Sequence, residues 1–348
     1  MLIYWTLFLV LTAGTVLSRP RHDRRPWLLF ILFASIPTIL MIGLRWKIGP
    51  DWPEYVEIFN YARLFTLDQA LLHIDPGFFL LIWELGQNGA PFWMLNFICG
   101  VVFVAGLTAF SLRQPNPWLC YLLAFPYLVI VIGMSGLRQS MALGFLFFAL
   151  NAFEDRRLYR LALLTILAAL FHSSALLMVP IFLFSFREKS AQRAAMLCFI
   201  LILFLYQFQT SFDIYAARYA SQKIQSGGLV YRLAMNGLAV TLYFAFGQRL
   251  RFPDHMSRLW RNFALSTLAL VFLAFVVPSS TAVDRFLLYL FPLQFAVLGR
   301  LPSALVPERS PSLVTLAVIS YAAAVQIVFL GFGTFASYYV PYLSLLNA

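Results

Sequence analysis

Few residues of this chain could do chemistry, and they recur in one kind of place. Arg45, Asp51 and Asp75 end or follow an apolar run. Arg138 and Gln139 open another in "GLRQS", and His172, Ser173 and Ser174 interrupt a third. Arg218 and Tyr219 lie between two more, and Asp284 and Arg285 open a late one. Guanidinium groups bind phosphate oxygens bidentately, so Arg138, Arg285 and Arg218 suit a diphosphate headgroup. A carboxylate or imidazole can take a proton from an attacking hydroxyl. Asp51 or His172 fits that role, with Asp75 behind them. Gln139, Ser173 and Ser174 suit hydrogen-bonding support. Trp46, Trp52, Tyr55 and Tyr338 could stack on sugar faces, or belong to an interfacial aromatic belt.

Each group also has an ordinary explanation. Asp51 precedes Trp52 and Pro53, so it could simply cap a helix whose first turn holds a proline. Arginines at helix ends snorkel to headgroups, which would account for Arg138 or Arg218. Asp284 and Arg285 could be a pair of neighbouring charges or a helix start. A histidine on an apolar helix commonly packs. At His172 the two adjacent hydroxyls and the interruption of the helix favour a functional role.

Composition bounds what these groups can belong to. The chain is 61% hydrophobic and 11% charged, whereas soluble domains carry about 25% charged residues. Apolar segments of about 17–25 residues recur throughout, as membrane-spanning helices require. The net charge of +11 falls mainly in short loops, where Lys and Arg orient spans, so it does not point to nucleic acid. Cys99, Cys120 and Cys198 sit inside apolar runs without pairing, which suits packing rather than disulfides or zinc. No His or Cys pair has metal-ligand spacing, and no Gly-rich loop could cradle a nucleotide. A Gly-x-Ser-x-Gly elbow is absent as well. No cofactor is expected.

The elements that must position these groups follow from the same rules. "RPRHDRRP" (Arg19–Pro26) marks a cytoplasmic loop. That puts Met1 outside and sends the second span, Trp27–Leu44, back out. Leu2–Ser18 lacks a basic start and a cleavage site and reads as a retained span. Arg45–Asp75 is then the main extracytoplasmic excursion of a single membrane domain over residues 1–348. Its Tyr55, Ile58, Phe59, Ala62 and Phe65, at helical spacing, predict a short amphipathic helix lying at the interface. Further spans are expected over 91–112, 118–134, 139–153, 194–208, 229–247, 262–278, 285–300 and 312–331.

Leu158–Phe186 reads as two short helices meeting at "FHSSA". That choice keeps "REKSAQR", "QRLRFPDHMSRLWR" and "RLPSALVPER" on the cytoplasmic side. The total is about twelve spans of an all-α protein. His172 then lies roughly 18 Å from Arg160 along its helix, in the outer half of the membrane. The candidate residues collect around one cavity facing the extracytoplasmic side.

The chain resembles a known family at several of these places. "GPDWPEYVEIF", "DPGFFLLIWEL", "RQSMALGFLFFAL" and "FHSSALLMVPIFLF" occur in the order and rough spacing of the EpsG family, and "DRFLLYLFPLQ" and "YYVPYLSLL" resemble its closing segments. Its members are Wzy-like polymerases of bacterial exopolysaccharide and O-antigen. The resemblance implies that the chain joins oligosaccharide repeat units carried on undecaprenyl diphosphate, at the outer face of the inner membrane. Its donor and acceptor would both be lipid-diphosphate-linked glycans. Membrane lipids, a chain-length regulator and a flippase would be its other partners. Asp51 also matches, by position, the acidic residue in the first outer loop of GT-C-type glycosyltransferases. One departure is Asp284, where an amide is expected before the arginine.

Two other classes of function stay open. A glycan ligase or an acyltransferase would use similar outer groups, and the product separates them: a ligase moves finished polymer, and an acyltransferase leaves chain length unchanged. A flippase or transporter needs access from both leaflets, whereas the polar residues here gather on one side.

Overall fold

A computed structural model describes residues 1–17, 25–186, 228–276, 280–306 and 312–346. Residues 19–24 of the Arg-rich loop, "REKSAQR", the span expected over 194–208 with Cys198, and Arg218 and Tyr219 lie outside the described residues. Among those described the chain is helical, without a strand, and carries only an isolated antiparallel bridge between Arg45 and Ser344. Lipid offers backbone groups no partners, so spans must satisfy their own hydrogen bonds, and helices do so within one segment.

The helices, in chain order, are α1 (Leu2–Leu17), α2 (Arg25–Gly43), α3 (Trp52–Ala62), α4 (Leu67–Leu71), α5 (Pro76–Gln87), α6 (Phe92–Ser111), α7 (Pro117–Ala124), α8 (Leu137–Glu154), α9 (Leu158–Phe171), α10 (Met178–Ser185), α11 (Leu229–Phe246), α12 (Asp254–Val276), α13 (Ser280–Leu305) and α14 (Leu313–Phe332). Five of them, α6, α11, α12, α13 and α14, are long and apolar enough to cross a membrane. Shorter apolar helices accompany them, and the chain is a multi-pass membrane protein.

Three boundaries differ from expectation for visible reasons. α12 starts at Asp254, earlier than the expected 262, because Met256, Leu259, Trp260 and Phe263 are buried at helical spacing. Part of "DHMSRLWR" is therefore helix rather than loop. α13 starts at Ser280, so Asp284 and Arg285 lie one turn inside it instead of opening it. The expected span over 118–134 is α7 continued by a π-helical stretch, Phe125–Ile132, with Pro126 near its start. π-Helical turns cluster at functional sites, and this one delivers Tyr127 and Ser135 to the interior.

Close helix crossing fixes the centre. A Cβ on Gly106 of α6 would meet the Gly144 carbonyl oxygen of α8 at 2.1 Å. Only glycine lets these two backbones approach so nearly, as small residues do at membrane helix interfaces. After α8 the chain runs along α9 to His172, then through a 3₁₀ turn (Ser173–Leu177) into α10. It returns to its starting level, since Phe186 packs on Phe153 near the end of α8, with ring centres 5.0 Å apart. The two short helices thus form a hairpin with His172 at its apex.

The excursion between α2 and α6 is packed onto the bundle. Tyr55, Phe59 and Ala62 of α3 join Phe78 and Phe79 of α5, Leu95 and Cys99 of α6, and Leu137 and Met141 of α8 in one cluster. The apolar stripe expected to lie in lipid is therefore turned against protein. Tyr61, Leu64, Leu67, Leu71 and Leu72 are the large exposed apolar residues here. The C-terminal segment straps this region down. Trp46 N–H reaches the Leu343 carbonyl at 3.0 Å, and Leu345 N–H reaches that of Leu44 at 2.8 Å. Tyr4 donates to the Tyr339 carbonyl at 2.8 Å.

Candidate active site

The stretch around Asp51 explains itself once the neighbours are known. Gly49 has φ +95°, which L side chains rarely adopt, and a Cβ there would lie 2.8 Å from the Met134 carbonyl oxygen. Glycine is required for this close turn. It brings Asp51 against the start of α8, where Ser135 donates its hydroxyl to Asp51 Oδ2 at 2.7 Å. Asp51 occupies the N-cap position of α3, yet its side chain makes no capping bond. The capping explanation accounts for its place in the chain and leaves its carboxylate to the interior.

Asp75 repeats the device. It precedes Pro76 at the head of α5 and does not cap that helix either. Its Oδ2 accepts from Arg138 Nη1 at 2.9 Å, and its Oδ1 accepts the backbone N–H of Ser173 at 3.0 Å. The carboxylate is almost fully buried. It therefore ties the head of α8 to the break after α9. The Arg138 guanidinium lies 6.0 Å from each of the Tyr55 and Phe78 rings, which meet edge to face beside it. Its Nε has no hydrogen-bond partner among the described residues. Tyr55 also accepts the Arg138 backbone N–H at 3.5 Å. Beside this hub His73 stacks on Phe79, and partial burial holds its imidazole below the usual range.

At the apex of the hairpin, Nδ1 of His172 accepts the Ser174 backbone N–H at 3.3 Å and lies 2.5 Å from the Ser174 hydroxyl. Ser174 Oγ is in turn 3.2 Å from the Tyr289 hydroxyl of α13. A ring nitrogen that accepts an N–H carries no proton, so the neutral imidazole is protonated at Nε2. His172 is thus arranged to donate a hydrogen bond rather than to take a proton.

The opposite wall carries a residue that the sequence reading passed over. Arg232, in the first turn of α11, is paired with Asp284 and hydrogen-bonded to Tyr127, over whose ring its guanidinium sits at 5.4 Å. Asp284 is accordingly the partner of Arg232, not of the neighbouring Arg285. The signal was present, since an arginine inside "LVYRLAMNGLAV" is a charge in an apolar span. Arg285 pairs with no carboxylate among the described residues, and its carbonyl accepts from Gln139 Nε2 at 3.0 Å.

These groups meet in a cavity of about 640 Å³, lined by Asp51, Tyr55, Arg138, Gln139, His172, Asp284 and Arg285 together with Arg232, Ser135, Tyr127 and Tyr339. Asp75, Ser173 and Ser174 stand just behind its wall and hold Arg138 and His172 in place. Arg45 does not line it. That side chain is buried under Trp52, 5.6 Å from the ring, and donates to the Ile42 carbonyl at 2.7 Å, so it anchors the turn into the excursion. Arg218 lies outside the described residues. Three guanidinium groups from α8, α11 and α13 therefore converge on one space with a carboxylate that pairs with no cation among the described residues. Such a space suits a polyanion beside a group being deprotonated. Among the described residues no cluster of three His, Cys, Asp or Glu side chains is placed to hold a metal ion.

The other end of the bundle is built for anchorage. Arg113 holds Asp155 bidentately at 2.6 and 2.9 Å and reaches Glu154 at 3.3 Å.

No curated protein and no solved structure matches the chain. A family profile described as "EpsG family" matches residues 27–344, from the second span through the C-terminal strap that closes the cavity. That match covers nearly the whole chain, which therefore belongs to the EpsG family.

Proposed function

We propose that the cavity is the active site of a glycosyltransferase that polymerises oligosaccharide repeat units carried on undecaprenyl diphosphate, as in exopolysaccharide, capsule or O-antigen synthesis. The family is one of Wzy-like membrane polymerases, which supports polymerisation. The observation that carries the rest is that Asp51, Arg138, Arg232 and Arg285 line a single cavity. In this reading the arginines hold the donor diphosphate, with Arg285 pairing with no carboxylate among the described residues. Asp51 orients the acceptor hydroxyl and takes its proton. The acceptor oxygen bonds to the anomeric carbon of the donor glycan as that carbon's bond to phosphate oxygen breaks, and lipid diphosphate leaves. His172, through Nε2–H, and the arginines stabilise the charge developing on the leaving group.

The cavity opens at the end of the bundle that carries Asp51 and Asp75, away from Arg113, Arg157 and Asp155. An Arg-rich cytoplasmic end supports an extracytoplasmic active face in a bacterial inner membrane. In this reading about twelve spans cross the membrane, and Asp51 is the counterpart, by position in the first outer loop, of the GT-C-type acidic residue. Incubating purified protein in detergent with a synthetic lipid-diphosphate repeat unit tests the reaction. A gel ladder of successive units, formed without nucleotide, is expected. A single transfer to another lipid or protein would show a ligase instead.

A further inference from the structure

A second concavity adjoins the first across Pro50 and Asp51. It is a groove of about 980 Å³ between the outward face of α3 and the C-terminal strap, and ligand sites commonly occupy about 300–1,000 Å³. Its walls are tied together, since Gly49 N–H donates to the Tyr338 carbonyl at 3.0 Å. The residues that decide its chemistry are Lys47, Trp52, Glu57, Asn60, Tyr61 and Tyr338. Tyr61 is 69% and Tyr338 48% exposed, although both carry large apolar rings. α3 buries Tyr55 and Phe59 on its other side, so Tyr61 is turned outward, beside Tyr338 of the strap.

We propose that this groove is a saccharide site that holds glycan units beyond the sugar reacting at Asp51. A sugar ring has an apolar C–H face and a rim of hydroxyls. An exposed aromatic ring meets the face, and flanking carboxylate, amide and ammonium groups bond the rim. Tyr61 and Tyr338 supply the rings here, and Glu57, Asn60 and Lys47 supply both acceptors and donors. A lipid tail would find Glu57 and Lys47 uncompensated in the same groove, at a cost in free energy. Continuity with the Asp51 cavity gives the glycan a path: Gly49 in the groove is followed directly by Pro50 in the cavity wall, and Tyr338 by Tyr339. The inference rests on the polymerase reading for the path, and on the groove alone for the ligand class.

The test is a glycan array probed with the full-length protein in detergent. Binding to one or more oligosaccharides is expected. It should fall at least about tenfold in the Tyr61→Ala/Tyr338→Ala double variant and return in Tyr61→Phe/Tyr338→Phe, which keeps the rings. Tyr159→Ala, an exposed change at the other end of the bundle, should leave binding unaltered. Equal binding by the double-alanine variant overturns the groove as the site, and so does a wild-type protein that retains no glycan. The two readings fail separately. A ladder formed by wild type while the double-alanine variant binds glycan as well as wild type removes the groove and keeps the polymerase. Glycan bound at the groove by a protein that makes no ladder removes the polymerase and keeps the groove.

Discussion

Asp75 and Arg138, 63 residues apart, meet at 2.9 Å, and the second oxygen of the same carboxylate holds the Ser173 N–H at 3.0 Å. One buried side chain thereby sets both the arginine at the head of α8 and the helix break that presents His172. Removing one partner of a buried pair leaves the other uncompensated, at a cost of about 3–5 kcal/mol. Asp75→Asn should therefore lower the unfolding midpoint in detergent and reduce chain growth together. A variant with wild-type stability would show that the carboxylate is not the hub of the site.

Asp51 should behave differently. Its carboxylate bonds Ser135 and has no cationic partner among the described residues, so Asp51→Asn keeps the shape and removes the basicity. General-base contributions amount to about 10²–10⁴-fold, and chain growth should fall within that range at unchanged thermal stability. His172→Gln, which retains a donor, should lose less. The reverse order of losses would make His172 the base.

Arg232 and Asp284 should couple. Arg232→Gln and Asp284→Asn each remove one side of this buried pair, whereas the double variant removes both. A double-mutant cycle on unfolding free energy should return a coupling of about 1–3 kcal/mol. Additive losses would mean that the two side chains do not form a working pair.

Much of the site was legible because charge inside an apolar span is costly and therefore conspicuous. Asp51, Arg138, His172 and Arg285 stand out on that ground alone, and Ser173 and Ser174 mark where α9 stops. The pairing was not legible. Whether Asp284 answers Arg285 or Arg232 depends on how α11 packs on α13. Arg232 escaped notice because an arginine in the first turn of a span is ordinarily explained by snorkelling. The face of α3 was misread for a related reason, since Tyr55, Phe59 and Ala62 repeat at the same period whether lipid or α5 covers them. Nor does the sequence show that the stretch around Tyr338–Ser344 returns to strap Leu44 and Gly49.

The opposite end gives a pH prediction that does not involve the site. Hydrogen bonds from Arg113 hold the Asp155 carboxyl below its ordinary value of 3.8. A depressed carboxylate contributes stability above its unfolded pKa and loses it as pH falls through the folded value. Acid should thus weaken the α6–α8 tie only below about pH 4. The pair is about one-third exposed, so its worth is under about 1 kcal/mol. Asp155→Asn should flatten the acid limb of a stability-against-pH curve and leave the neutral region nearly unchanged; an equal acid limb in both proteins would contradict this.

If the cavity binds a diphosphate through its arginines, Arg285 is the informative position, because its removal strands no paired carboxylate among the described residues. The measurement is the product ladder from lipid-diphosphate repeat units, run with equal amounts of folded wild type and Arg285→Ala. A protein of unchanged thermal stability is expected, with chain growth reduced at least about 10²-fold, the scale of losing one transition-state charge stabiliser. Full-length polymer from Arg285→Ala would contradict it.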